Sequence, residues 1–458
     1  MQKYTILLLS LFLLTGCVNP DIPPLPVHSM RSESNTTDHQ WWREFNDAHL
    51  NHLVESALKE SLTLSMAKQR VLQSYALVQT QKAANLPSVS ASMSGGGQDE
   101  LKGNESQKET YSATLNASYE IDLFGKKEDA LNASIASFNA TQEALHVSSI
   151  SLAAEISIAW YTLAQKQESL TLLSEQQSVA KKILTITKLK HESGKNSVTD
   201  VWQQEQYIQS LQAQIILLEG DIDTQRRALN ILLGRSPLSP IDNANEAKLI
   251  ALPPMPEVGI PATKLLQRPD VKQAFYNLEA SHYDMAEAIK NQYPSFSLSL
   301  STLATSTQFS SLLDTIIATA AATISGTLYD GGNKEALVKK ARFITKERSL
   351  NYKQTLLEAF NETLEAENKE AMQLRYNLQL DERIALARSI FERQQNKYLY
   401  GIVEYLNVLN AQQSLQELEQ TKLSKELEII KYRIALYRSL GGGFISLDND
   451  KEWRNYDN

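Results

Sequence analysis

The chain has 458 residues, 42% hydrophobic and 21% charged, a globular rather than a disordered composition. Its net charge of −8 supplies no basic field for a nucleic acid partner. No apolar run reaches the roughly 18 residues of a spanning helix, so a membrane crossing would have to be made by a closed β-barrel.

Residues 1–16 read as a signal peptide, in which Lys3 precedes a short apolar core, Ile6–Leu14. The core runs into Leu14-Thr15-Gly16-Cys17, and Cys17 is the only cysteine, so no intramolecular disulfide can form. A cysteine directly after a signal core and two small residues resembles a bacterial lipobox, in which the thiol is diacylated and becomes the mature N-terminus. Val18 stands where inner-membrane lipoproteins often carry aspartate, which favours the outer membrane. Residues 17–45 read as a tether, extended by the four prolines of Pro20–Pro26 and packed by Trp41 and Trp42. His49 and His52, three apart, read as ordinary exposed histidines. The seven methionines are scattered, so no metal relay and no cofactor are expected.

The first repeat spans 46–234. Asn46–Leu86 has helical periodicity and stops at Pro87. In Ser88–Ser94, Val89, Ala91 and Met93 alternate with serines. A polar stretch from Gly95 to Ser106 reads as the loop of a hairpin. From Tyr111 onward Tyr111, Ala113, Leu115, Ala117, Tyr119 and Ile121 take one face of a strand, and Ser112, Thr114, Asn116, Ser118 and Glu120 the other. Lys126–Ser193 contains neither Gly nor Pro, enough for a helix of about 100 Å at 1.5 Å per residue, as in a coiled coil. It turns at Gly194, and a second helical stretch ends at Gly234.

Residues 235–262 are a Pro-rich boundary, and the plan then restarts over 263–443, with 444–458 as a tail. Helix is expected for Arg268–Tyr293. Phe296, Leu298 and Leu300 alternate with serines, and Ile316, Ala318, Ala320, Ala322, Ile324 and Leu328 fall on one face of a further strand. Asn333–Tyr400 again lacks Gly and Pro, turns at Gly401 and runs on to Leu440. Pro87 and Pro294 lie 207 positions apart, as do Gly125 and Gly332, Gly194 and Gly401, and Gly234 and Gly441. The chain is a tandem duplication of helix–strand–strand–long helix–helix. Its fold class is mainly α with a membrane β-barrel contribution. Four strands cannot close a barrel, for which about eight is the practical minimum, so strands must be shared among subunits. The Ser/Thr face would line a lumen and the apolar face would meet lipid.

Several stretches resemble the outer-membrane efflux channel family that includes TolC, most closely its lipoprotein (NodT-like) branch serving resistance-nodulation-division pumps. They are "EIDLFGK" (120–126), "GKNSVTDV" (194–201), "LLQRPDV" (265–271), "YPSFSLS" (293–299), "LYDGG" (328–332), "YLYGIVEYLNVLNAQQSL" (398–415) and "LYRSLGGG" (436–443). The resemblance implies a homotrimer with a twelve-stranded barrel in the outer membrane and a periplasmic α-helical barrel. It also implies a periplasmic adaptor and an inner-membrane transporter as partners, and no chemistry in the channel itself. Gly194, Ser197, Asp200 and Val201, with Gly401 and Val408, correspond to the tip where the family meets its adaptor. Tyr398, Leu406 and Asn410, with Glu404, correspond to its constriction, and Asn410 puts an amide where aspartate is common.

The function expected is passive conduction of drugs, toxic compounds or metal ions from pump and adaptor to the exterior. A periplasmic scaffold or adaptor lipoprotein without a pore is the alternative, but it would have no need of four lipid-compatible strands. An enzyme would need a convergent catalytic set, and the sequence has no nucleophile elbow, metal motif or phosphate loop.

Overall fold

The computed structural model describes residues 40–98, 108–241, 247–253 and 265–441. Its elements in chain order are helices α1 (Ala48–Glu60) and α2 (Leu62–Ala84), then strands β1 (Ser88–Gln98) and β2 (Lys108–Ile121). Helices α3 (Lys126–Glu192) and α4 (Val198–Leu232) complete the first repeat. The second holds α5 (Pro269–Lys290), β3 (Ser295–Ser306), β4 (Ile316–Ser325), α6 (Asn333–Leu399) and α7 (Tyr405–Ser439). The duplicated plan read from the sequence is present: α2, β1, β2, α3 and α4 recur in order as α5, β3, β4, α6 and α7. α3 and α6 each have 67 residues, and α4 and α7 each have 35.

Two compact units are present, and neither follows the repeat boundaries, because each draws on both copies. The first comprises 71–142 and 273–353 and contains a four-stranded antiparallel sheet in the order β1-β2-β3-β4. Its register aligns Met93, Ala113, Ala304 and Ile316 in one row across the four strands. The second unit comprises 34–70, 143–272 and 354–458, and within its described residues it holds most of the buried core, including Trp41, Trp42, Trp160, Tyr161 and Ile156.

Several expectations are corrected. The run 46–86 is not one helix: it breaks at Ser61, whose ψ of 130° is extended. The break is fixed by tertiary contact, because the Gly234 turn lies against Glu60 and the Arg235 guanidinium bonds Ser56 Oγ at 2.7 Å and Glu60 Oε2 at 3.2 Å. Gly95–Gly97 belong to β1 and not to a loop, since they pair in register with Tyr111–Glu109. The Tyr111 ring covers Gly95 and supplies the packing that the glycine lacks. Leu328 lies beyond β4 and is fully exposed. One window of α3 is, after all, long and apolar enough to cross a membrane by length and composition, but 67% of it is buried, as in a core helix.

The turn at each hairpin end is set by glycine. Gly194, Gly234, Gly401 and Gly441 have φ between +69° and +76°, a region that costs other residues about 1–2 kcal/mol. At Gly194 the amide donates to His191 O and that of Lys195 to Lys190 O, both at 2.8 Å, which satisfies the last carbonyls of α3. Gly401 and Ile402 repeat the pattern on Tyr398 and Lys397, at 3.0 and 2.9 Å. Gly194 has open space where a Cβ would go, whereas at Gly234 a Cβ would lie 2.7 Å from the Glu60 carbonyl oxygen. Gly194→Ala should therefore cost only the backbone strain of about 1–2 kcal/mol, and Gly234→Ala distinctly more. Melting temperatures of the two variants in detergent, with Gly234→Ala the lower, check this.

Candidate functional site: the hairpin tips and the sheet face

The α3–α4 turn at Gly194 and the α6–α7 turn at Gly401 meet in one cluster. Tyr398 is 3% exposed and packs with Ile183, Tyr405, Val408 and Leu409. Its hydroxyl donates to Thr187 Oγ1 at 3.4 Å and accepts from the Asn196 side-chain amide. The Lys190 ammonium bonds the Tyr398 carbonyl oxygen and stands 4.4 Å above the ring, a cation–π contact. Burial, together with the nearby Lys195 charge, lowers the Lys190 pKa. The Tyr405 hydroxyl donates to Gln204 Oε1, and burial raises the pKa of that phenol far above its usual value.

The tip residues named from the sequence divide into two groups. Gly194 and Gly401 are exposed and make the turns. Ser197 caps α4 by accepting from Thr199 N at 3.1 Å. Glu404 holds the same position on α7, but its carboxylate makes no capping bond. Asp200 lies in the first turn of α4, half-buried. Val201 and Val408, by contrast, are buried at 6% and 0% and belong to the packing of the hairpins.

The constriction residues divide in the same way. Leu406 is 50% exposed, and Asn410, one turn further along, is exposed with it. The opposite face of α7 carries the buried Tyr405, Val408, Leu409 and Gln412. Tyr398 is not on the exposed face with Leu406 and Asn410, since it is part of the cluster that binds the two tips. Sequence reasoning passed over Tyr400 and Ile402, 82% and 68% exposed on the second tip. Their counterparts in the first repeat are Ser193 and Lys195, and that apolar-for-polar exchange was the available signal. Trp202, 62% exposed on α4, was also missed. Among the described residues no group of His, Cys, Asp and Glu could hold a metal ion, and Cys17 lies outside them.

The sheet separates its side chains as the alternation requires. One face carries Val89, Ala91, Met93, Ala113, Leu115, Ala117, Leu298, Leu300, Ala320, Ala322 and Ile324. The other carries serine, threonine and asparagine, joined across strands by hydroxyl pairs such as Ser88–Ser118 and Ser94–Ser112, both at 2.8 Å. Leu303 and Ile317 depart from the pattern, lying on the polar face directly opposite each other. The apolar face is bare: Val89, Leu115 and Leu300 are 68%, 48% and 52% exposed. Aromatic pairs stand at both ends of the strands, Tyr111 with Phe309 and Phe124 with Tyr293. An apolar band between aromatic girdles is the pattern of a strand in lipid.

The sequence pattern of the outer membrane efflux protein family matches residues 53–235 and 260–442. The chain belongs to this family. It is similar to the probable outer membrane lipoprotein SilC of Salmonella typhimurium, 27% identical over 95% of this chain and 98% of SilC. It is also similar to the cation efflux system protein CusC of Escherichia coli K12, 28% identical over 94% and 97% of the two chains. A crystal structure of CusC, solved to follow folding and transmembrane channel formation, superposes with a TM-score of 0.80 over 93% of this chain and 99% of that one, at 25% identity. As a member of the family the protein is an efflux channel of the outer membrane, and neither the fold nor the likenesses favour a helical scaffold without a pore.

The faces of this efflux protein's sheet can be tested separately. Leu115→Arg, on the apolar face, should cost roughly 2–4 kcal/mol near mid-membrane, whereas Asn116→Arg, on the polar face, should be tolerated. Insertion and unfolding of the two variants in outer-membrane vesicles distinguish them, and equal damage would refute the assignment of faces.

Proposed function

We propose that three copies of this chain close one twelve-stranded barrel in the outer membrane, anchored by acyl chains at Cys17. The hairpin tips at Gly194 and Gly401 meet a periplasmic adaptor linked to an inner-membrane resistance-nodulation-division transporter. The observation that carries this reading is the four-stranded sheet with one bare apolar face. In lipid its two edges would each leave backbone groups unsatisfied at several kcal/mol apiece, and a second and a third copy remove that cost. The helical hairpins add a second reason. α6 exposes Phe343, Leu350, Leu357, Leu364 and Leu378, all seven or fourteen residues apart, between 44% and 75%. A heptad stripe left bare in a single chain is a coiled-coil seam that awaits a neighbour.

SilC and CusC, the latter named a cation efflux protein, are among the relatives, but so are pumps named for solvents and pyoverdine. The polar sheet face of serine, threonine and asparagine is generic, and the channel conducts what its pump delivers. The adaptor contact is assigned to exposed groups of the tips, Gly194, Ser197, Asp200 and Gly401. Val201 and Val408 support that contact from within the hairpins.

Labelled palmitate should enter the wild type and not Cys17→Ser, and equal labelling of the two would refute the lipid anchor. The resting constriction is assigned to Leu406 and Asn410, which share one exposed face of α7. Leu406→Ser should raise resting conductance in planar bilayers. Asn410→Asp should confer a block by millimolar Mg²⁺ that the wild type lacks. Strong Mg²⁺ block of the wild type, unchanged in Asn410→Ala, would move the gate to the uncapped Glu404.

A further inference from the structure

The seam between the two helical hairpins is built differently from the hairpins themselves. Inside the first, α3 and α4 pack through Leu173, Ala180, Ile208, Leu211 and Ile215. Where α7 faces α3, the contact is apolar near the tips, where Ile183 packs on Tyr405, Val408 and Leu409, and amides join it further along. Gln420 Nε2 donates to Gln176 Oε1 at 3.1 Å, and Gln176 Nε2 reaches the Gln416 carbonyl oxygen at 3.4 Å and Glu419 Oε2 at 3.3 Å. Beside these bonds lies a cavity of about 530 Å³, lined in part by Leu172, Val179, Phe391, Gln412, Leu415 and Gln416.

Gln412 is 1% exposed, and neither its amide nitrogen nor its oxygen has a partner among the described residues. Gln416 is 6% exposed, and its Oε1 is likewise unpartnered. Gln204 on α4 is buried as deeply, at 0%, yet is fully satisfied: its Nε2 donates to the Ala180 carbonyl oxygen at 2.7 Å and its Oε1 accepts from Tyr405. An amide taken out of water without a partner raises the free energy of the arrangement that buries it. Such groups are rare enough in folded proteins that each requires a physical explanation.

We propose that Gln412 and Gln416 are loaded against the closed seam. The free energy spent in burying their amides is recovered when the hairpins part and the amides meet water, so they bias the seam towards opening. The cluster of Tyr398, Lys190 and Asn196 at the tips acts in the opposite sense and clasps the hairpins together. A seam of leucines would weld the hairpins, whereas a seam of half-satisfied amides separates at low cost. This inference rests on the reading of the protein as a gated channel.

The test uses the full-length protein with Gln412→Leu and, separately, Gln412→Met, which keeps the length of the side chain without its amide. Spin labels at Thr185→Cys on α3 and Ser389→Cys on α6, both exposed, report the separation of the hairpins. Single-channel recording reports the open fraction. Both variants should shrink the long-distance population and lower the open fraction several-fold, with assembly intact and the melting temperature unchanged or raised. Unchanged distances and open fraction would overturn the proposal, since the amides would then be satisfied in place by water. A larger long-distance population would also overturn it, since the amides would then hold the seam shut. Should the leucine variant fail to assemble, the methionine variant carries the same comparison. If the wild type conducts nothing, the channel reading fails, while the distance measurement still decides whether the amides load the seam.

Discussion

The backbone groups along β1 and β4 are the constraint on which the rest of the structure depends. These strands end a four-stranded sheet whose one face is apolar and bare. In water such edges could be solvated, but the aromatic pairs at both strand ends and the exposed valine, leucine and isoleucine side chains place the sheet in hydrocarbon, where an unpaired N–H or C=O is not tolerated. The strands conform to that demand, with exceptions such as Leu303 and Ile317 on the polar face and Thr302 on the apolar one. Serines bond each other across the strands of the polar face, and the register keeps rows such as Met93, Ala113, Ala304 and Ile316 apolar across all four strands.

The duplication gives two hairpins with one geometry and different chemistry. Both turn on a left-handed glycine and close with the same pair of backbone hydrogen bonds. The first is polar at its tip and capped by Ser197. The second exposes Tyr400 and Ile402 and leaves Glu404 uncapped. The contact between them is also unsymmetrical, because the first hairpin supplies the cation and amide, Lys190 and Asn196, and the second supplies the buried phenol. Gene duplication thus produced the scaffold, and divergence at the tips and along the seam produced two surfaces that can do different work.

Much of this was legible in the sequence because the signals were periodic or positional. Period-two alternation located the strands and their faces, and the equal spacing of Pro87/Pro294 and three glycine pairs located the repeats. Contacts between distant segments were not legible. Nothing local in Asn46–Leu86 marks the break at Ser61, which the Gly234 turn imposes from elsewhere in the chain. Gly95–Gly97 read as loop because their pairing comes from Tyr111–Glu109 on the next strand, and only Gly95 is covered by the Tyr111 ring. Arg226 and Arg433 occupy matching positions, yet only Arg433 forms a fully buried pair with Glu370, at 2.6 Å. The position matching Glu370 in the first repeat is Leu163, and no sequence period could predict that exchange. Tyr398 and Val408 were named for exposed roles from the resemblance, and their burial follows from the meeting of the two tips.

The central claim, that the open edges of this sheet are closed by other copies of the chain, is tested most directly by cross-linking β1 to β4 between molecules. Ser92→Cys on β1 would be combined in turn with Thr319→Cys, Ala321→Cys and Thr323→Cys on β4, in outer membranes, and the products sized without reduction. At least one pair should give a covalent three-chain species that reduction returns to single chains. Single chains from every pair, with a monomeric mass in detergent, would contradict the account.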